Sequence, residues 1–339
     1  MSNIISHKMT AYDLSVSVTN YGASLQDVRL LGNPLPLVLG FSAADDYASH
    51  SAHMGATAGV YANRIAAGQF TIDDVTYQLD RNENDRTTLH GGRQGAGTQL
   101  WDLIEAEEEK AVFALTQPDG FMGFPGKIDL RCTYQITAKG TLAISYHATT
   151  SKPTFVNLAH HSYFRLDDAP DISGHELQIF ADHYLEVDDD NLPHDGAPVS
   201  VASTDYDFRS QRQIGNHNID HNFCLDTKIS ATSSAQSSAQ ASLGAELRPV
   251  ARLYSPLSSL SLQISSDQPG LQIYTAHHLC EAAPNHHGRP YRAFDGICLE
   301  PQNWPNSPNR DDFPSSLLRP DETYQQRLEL YFCDESVKS

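Results

Sequence analysis

The sequence contains no apolar run approaching the ~20 residues that a membrane-spanning helix needs, so no transmembrane helix is expected. Its opening residues (MSNIISHKMTAYDL) lack the basic and apolar segments of a secretory signal, which makes the cytoplasm the expected address. Cysteine is sparse: Cys132, Cys224, Cys280, Cys298 and Cys333 are odd in number, far apart, and form no C-x-x-C pair. A disulfide framework is therefore not expected, and all five read as reduced core residues. Positive charge is scarce as well. Lys and Arg number 23 against 42 Asp and Glu, a formal net charge of −19. Such a field repels phosphate backbones and anionic lipid, so neither nucleic acid nor a membrane is an expected partner. Also missing is any long 3.6-residue periodicity with caps, which leaves room only for short helices near residues 43–47 and 309–313.

What is present is strand alternation. With 40% hydrophobic and 19% charged residues, the chain has enough apolar material for a core. Leu14, Val16 and Val18 alternate with polar residues, and Phe70/Ile72 and Val75/Tyr77/Leu79 flank an Asp73-Asp74 turn that reads as a β-hairpin. The clearest pattern is Ile128, Leu130, Cys132, Tyr134 and Ile136, a turn at 138–140, then Leu142, Ile144, Tyr146 and Ala148. Similar runs recur to the end of the chain, at Leu260/Leu262/Ile264, Leu271/Ile273, Ile297/Leu299 and Leu328/Leu330/Phe332. Many short strands punctuated by 21 Gly and 18 Pro argue an all-β fold, a large antiparallel β-sandwich. No boundary interrupts them, so one domain over residues 1–339 is expected. The compositional break at 229–243 (ISATSSAQSSAQASL) reads as a low-complexity surface insertion.

Five stretches crowd polar residues into strand-like context, which costs stability unless those groups are paired or face a cleft. They are 60–66 (VYANRIA), 88–92 (TLHGG), 157–164 (NLAHHSYF), 220–225 (DHNFCL) and 296–304 (GICLEPQNW). In the last, Ile297 and Leu299 alternate inward and Glu300 points to the other face. There it is either a partly desolvated general base or the partner of a surface arginine. Adjacent side chains of a strand point to opposite faces, so His160 and His161 are poorly placed to hold one metal together. His161 and Tyr163 share a face, and His161 is either a proton-holding group or a satisfied structural histidine. Asn63-Arg64 offers two good donors, to a ligand or to an internal salt bridge. The glycines after His90 fit a turn and match no phosphate-binding fingerprint. The doublets His277-His278 and His286-His287 and the pair His50/His53 lack metal-site company and read as exposed loop residues.

In their order, these five stretches resemble the signature of the aldose 1-epimerases, the galactose mutarotases. The resemblance spans nearly the whole chain and extends to 20–23 (NYGA), 118–126 (PDGFMGFPG), 182–193, 268–275 (QPGLQIYT) and 317–322 (LLRPDE). It implies a galactose mutarotase-like supersandwich with a sugar cleft on one sheet. Carried over segment by segment, the proton donor falls on His161 and the acceptor on Glu300. Sugar contacts fall on Asn63, Arg64, His90, Asp220 and Gln272, with Ser162 and Tyr163 beside the donor. The implied partner is a free monosaccharide, galactose or glucose foremost, and no metal, nicotinamide or nucleotide is required. Whether the chain is a monomer or a homodimer stays open. His160, Arg165 and Ala276-His277 depart from the family pattern and bear on the choice of sugar. Three rivals remain: an epimerase of hexose 6-phosphates using Arg64 and Arg165, a non-catalytic sugar-binding module, and a glycosidase using Asp220 and Glu300.

Overall fold

The computed structural model describes residues 4–50, 53–225 and 246–336, and the tract expected as an insertion at 229–243 lies outside them. Two large antiparallel sheets dominate. The first has nine strands in the spatial order Arg212–Gln213, Glu176–Ile179, Arg248–Tyr254, Leu260–Ser266, Tyr324–Asp334, Thr141–Thr150, Ile128–Ala138, Lys110–Gln117 and Asp102–Ala106. The second has six, in the order Tyr163–Phe164, Ile297–Gln302, Gly270–Tyr274, Asp220–Cys224, His183–Tyr184 and Val199–Ser200. A three-stranded sheet, Ser6–Ala11, Leu14–Thr19 and Ser24–Leu30, and several two-stranded ladders complete the fold. Among the described residues no helix is long and apolar enough to cross a membrane.

The alternation seen in the sequence sets the faces. In the hairpin of Ile128–Ala138 and Thr141–Thr150, Leu130 lies opposite Ala148, Cys132 opposite Tyr146, Tyr134 opposite Ile144 and Ile136 opposite Leu142. Each pair puts two apolar groups on the buried face, where a fully buried Leu or Ile contributes roughly 1.5–3 kcal/mol. Leu271, Ile273, Ile297 and Leu299 from the six-stranded sheet join Leu130, Tyr134, Leu142 and Leu262 from the nine-stranded one in a continuous core cluster. The rings of Phe164 and Phe332 meet across it with centroids 6.5 Å apart.

Local chemistry closes the strands. Asp73 and Asp74, at φ +47° and +64°, join Gln69–Ile72 to Val75–Gln78 in a two-residue turn whose left-handed positions suit the twist of a hairpin. The helices are shorter and differently placed than expected: among the described residues there are one α turn, at Asp46–Ser49, and four 3₁₀ turns, at Ala66–Gly68, Ala96–Thr98, Phe121–Gly123 and Ser307–Asn309. Pro308 near the start of the last fixes φ for entry into the turn. The cysteine reading needs correction at two positions. Cys132, Cys224 and Cys298 are buried, but Cys333 is half-buried and Cys280 is exposed, because Cys280 sits on a loop where no sheet covers it.

The glycines following His90 do form a turn, and one of them has a second duty. Gly91, at φ +83°, packs so closely on residues 59–60 that a Cβ would lie 2.3 Å from the Gly59 carbonyl oxygen and 2.6 Å from the Val60 nitrogen. Both neighbours are backbone and cannot swing aside. Gly91→Ala is expected to cost more than about 1 kcal/mol, read as a lowered urea midpoint with an unchanged slope; a midpoint equal to wild type would show that this approach is relaxed in solution.

Candidate active site

The face of the six-stranded sheet turned away from the core carries the polar residues. Cys298 and Glu300 are two apart on one strand and share this face. Register places Gln272 opposite Glu300, Tyr274 opposite Cys298, Asp220 opposite Tyr274 and Tyr163 opposite Cys298. Alternation that fills the core with Ile297, Leu299, Leu271 and Ile273 therefore delivers a carboxyl, an amide and two phenols to a common floor. The cleft above that floor has a volume of about 380 Å³ and is lined by His53, Asn63, Arg64, His90, His161, Tyr163, Asp220, Gln272, Tyr274 and Glu300, with Leu89 and residues 278–281 at its edge.

Two further ladders bring the walls to it. Ala159–His161 pairs with Ala56–Ala58, with His161 opposite Ala56, and the small alanines let the segment approach closely. Arg64-Ile65 pairs with Thr88-Leu89, so Asn63 and His90 stand together at one end of that ladder. Both are left-handed, at φ +63° and +50°, and they bond each other reciprocally. The His90 N–H donates to the Asn63 carbonyl at 3.1 Å, and the Asn63 N–H donates to His90 Nδ1 at 3.2 Å. Since Nδ1 accepts, the ring proton of neutral His90 sits on Nε2.

Arg64 is fixed by a two-point contact with Glu83, at 2.8 and 2.9 Å, and lies 3.8 Å from an Asp220 oxygen. The other Asp220 oxygen accepts a 2.6 Å bond from Gln272 Nε2. Gln272 Oε1 is buried without a hydrogen-bond partner, an acceptor that a hydroxyl in the cleft would satisfy. His161 Nε2 and Glu300 Oε1 are 3.7 Å apart at the centre of the floor. On the far side of the ring, the Cys298 sulfur lies 3.6 Å from His161 Nδ1, and burial pushes that thiol well above its ordinary pKa, so it stays protonated.

Burial drives both central groups toward their neutral forms. It raises the Glu300 carboxyl well above the usual carboxylate range, with the charge of Asp220 adding to the effect and Arg64 opposing it. It pushes His161 down to about 3, with His53 adding to the depression. The proton donor that the resemblance places on His161 is thus favoured in its neutral form by burial.

Of the residues singled out in the sequence, Asn63, Arg64, His90, His161, Tyr163, Asp220, Gln272 and Glu300 all line this cleft. Ser162 does not: strand alternation turns it to the other side, where its hydroxyl lies 2.7 Å from His160 Nε2 and is wholly buried. Arg165 is likewise absent from the cleft, being buried and bonded to Asp295 and to the Asp167 carbonyl. The sequence reading took His53 for an exposed loop residue, whereas it is half-buried in the cleft wall, its ring 4.8 Å from that of His90 and 5.9 Å from that of His161. It also missed the 278–281 loop, where Glu281 holds His50 Nδ1 at 2.8 Å. Neither has a sequence pattern of its own, since both are placed by tertiary contact. A larger concavity of about 540 Å³ along residues 203–212 is open to solvent. Its guanidinium groups are already committed, Arg209 to Asp207 and Arg212 to the Asp205 carbonyl.

Comparison with known proteins identifies the family. The family profile described as aldose 1-epimerase matches residues 7–331. The aldose 1-epimerase of Escherichia coli K12 is 33% identical over 94% of this chain and 92% of its own length, and human galactose mutarotase is 34% identical over 92% and 89%. Among solved structures, an aldose epimerase homologue from C. elegans superposes with a TM-score of 0.87 at 27% identity, covering 98% of this chain and 99% of that one. Galactose 1-epimerase from Lactobacillus acidophilus gives 0.79 at 26%, with the same coverage. With a matching profile over nearly its whole length and relatives above 30% identity, the chain belongs to the aldose 1-epimerase family.

Proposed function

We propose that this cleft interconverts the α and β anomers of a free aldose, galactose or glucose foremost, with His161 and Glu300 as the acid–base pair. The observation that carries the reading is their juxtaposition, an imidazole nitrogen 3.7 Å from a buried carboxyl oxygen on the floor of a polar cleft. Anomerisation removes the proton from the C1 hydroxyl and adds one to the ring oxygen O5. The C1–O5 bond breaks to give the open-chain aldehyde, rotation about C1–C2 presents its other face, and reclosure returns both protons. The two anomers have the same oxidation state, so the chemistry calls for no electron carrier.

One donor and one acceptor suffice, and the pair holds a single proton between them. Burial favours the form in which Glu300 carries it. The form with Glu300 as carboxylate and His161 as imidazolium has the same proton count and differs by one transfer across the gap. In that form Glu300 takes the C1 hydroxyl proton and His161 delivers its own to O5. Reclosure reverses both transfers. Asn63, Arg64, His90, Asp220 and Gln272 orient the sugar, which supplies the alignment that proton transfer needs. Tyr163 and Tyr274, rings 6.2 Å apart and edge to face, add aromatic surface to the cleft lining.

The rivals fare worse. Among the described residues lining the cleft, Arg64 is the one arginine or lysine. It is committed to Glu83 and Asp220, so no free cation awaits a phosphate. A glycosidase reading needs Asp220 as a working carboxylate, yet Asp220 is tied to Gln272 and Arg64. A pure binding module leaves the costly burial of Glu300 beside His161 without a purpose.

Polarimetry of freshly dissolved α-D-galactose or α-D-glucose tests this directly. His161→Ala and Glu300→Gln are each expected to lower kcat about 10²–10⁴-fold with far smaller changes in KM; a Glu300→Gln protein near wild-type rate sinks the assignment of the acceptor. Glucose 6-phosphate is expected to be turned over more slowly than glucose, and the reverse order would promote the phosphosugar rival.

The pH profile follows from the pair. A second proton adds only as pH falls toward the depressed His161 value, and the single proton leaves as pH rises through the raised Glu300 value. The profile of kcat/KM is then a bell whose limbs belong to the pair as a whole, with its acid limb below the ordinary imidazole value of about 6.5. Asp220→Asn removes a charge that holds the Glu300 value up, so the alkaline limb should move to lower pH whatever happens to the rate. An alkaline limb that stays put or moves upward contradicts this electrostatic account.

A further inference from the structure

One group on the cleft floor has no part in sugar chemistry. Cys298 shares its strand face with Glu300, and His161 faces both. Single donor atoms of these buried residues all lie within 4.8 Å of one another. We propose that His161, Cys298 and Glu300 form an inhibitory binding site for zinc, in which the ion ties up the acid–base pair and excludes the sugar. The inhibitory half of this inference rests on the reading of His161 and Glu300 as the working pair; the binding half does not.

The donor set selects the ion. Thiolate and imidazole suit zinc, whereas magnesium and calcium take oxygen ligands. Tetrahedral zinc, with bonds of about 2.0–2.3 Å, sets its donors roughly 3.3–3.7 Å apart. Two contacts already have that spacing, Cys298 Sγ to His161 Nδ1 at 3.6 Å and His161 Nε2 to Glu300 Oε1 at 3.7 Å. They use opposite nitrogens of one ring, so ligation through either requires the third donor to move in by about an ångström, a side-chain adjustment. Three protein ligands leave a fourth position open to the cleft, for water.

Charge balance favours the exchange. Zinc brings two positive charges and displaces two protons, one from the Cys298 thiol and the one shared by His161 and Glu300. The buried cluster keeps its net charge, which avoids the cost of leaving a charge uncompensated in the interior.

The test uses the full chain, stripped with a chelator. Equilibrium dialysis against zinc is expected to give one ion per chain at micromolar or tighter Kd. Cobalt(II) in its place should show the charge-transfer absorption of a thiolate ligand. Mutarotation should fall with zinc, competitively with the aldose, and recover on chelation. Cys298→Ser, which keeps a hydroxyl beside His161 but not a soft ligand, should raise the zinc Kd at least tenfold and blunt inhibition, judged against its own metal-free rate. Cys280→Ser, which alters the exposed thiol at the cleft edge, should leave zinc binding intact. Zinc binding unchanged by Cys298→Ser, a cobalt spectrum without the thiolate band, or binding abolished by Cys280→Ser each overturns the site. A protein that binds zinc through Cys298 but never accelerates mutarotation overturns the catalytic reading and leaves the metal site standing. One that mutarotates but binds no zinc overturns this inference alone.

Discussion

Burying the Glu300 carboxyl on a sheet whose other face is sealed by the core costs several kcal/mol unless the group is neutral, paired or hydrogen-bonded, and the cleft is organised around that fact. All six residues of its strand, Ile297–Gln302, are buried. Its apolar side belongs to the sandwich core, and its polar side opens only onto the floor of the cleft, where Glu300 is 2% exposed. Protonation lowers the cost at rest. His161 offers the carboxyl a partner across 3.7 Å, and Arg64 offers it a cation at longer range, one shared with Asp220 and Glu83. Burial and the charge of Asp220 thus raise the proton affinity of this carboxyl while Arg64 opposes the rise, a balance on which the proposed acid–base role would draw.

Much of this was legible in the sequence, for a physical reason. Period-2 alternation is forced by strand geometry, so Ile297/Leu299 against Cys298/Glu300, and Leu271/Ile273 against Gln272/Tyr274, announce both the core face and the cleft face without any knowledge of the fold. The same rule separated His161 from His160. It also argued against Ser162, two residues from His160 and on its side of the strand, but that residue entered through family resemblance rather than through alternation. Where the rule has no purchase, the sequence is silent. His53 joins the cleft through a loop folded against His90, and Cys280 is exposed because nothing covers its loop. Arg165 looked like an available cation from its position near His161, and only the packing of Asp295 against it reveals that it is spent inside the protein.

The acidity of the chain acquires a local meaning beside these contacts. A surplus of 19 negative charges disfavours anionic ligands at a distance, and the pairing of Arg64 with Glu83 and Asp220 disfavours them at contact range. Field and site therefore agree on a neutral, hydroxyl-rich ligand. The histidines divide along similar lines. His53, His90 and His161 stand ring against ring with depressed basicity, because burial disfavours charge on each and because charging one would penalise the others. A cluster that resists accumulating charge is suited to passing a proton rather than storing it.

The cleft is built from two kinds of material, and this bears on how it can change over evolutionary time. Its floor is made of strands that also carry the core, so a substitution at Leu299 or Ile273 is felt by Glu300 or Gln272 through a shared backbone. Its edge is made of the loop bearing residues 278–281, between Gly270–Tyr274 and Ile297–Gln302, tied down by the His50–Glu281 contact. The floor is constrained twice, by packing and by chemistry, while the edge is held by its own contacts: the backbone pairing of Glu281 with Tyr291, the buried Leu279 and the bond from the His278 N–H to the Tyr274 hydroxyl. Substitutions at its exposed positions His278 and Cys280 can therefore reshape the mouth of the cleft without passing through the strands that carry the core.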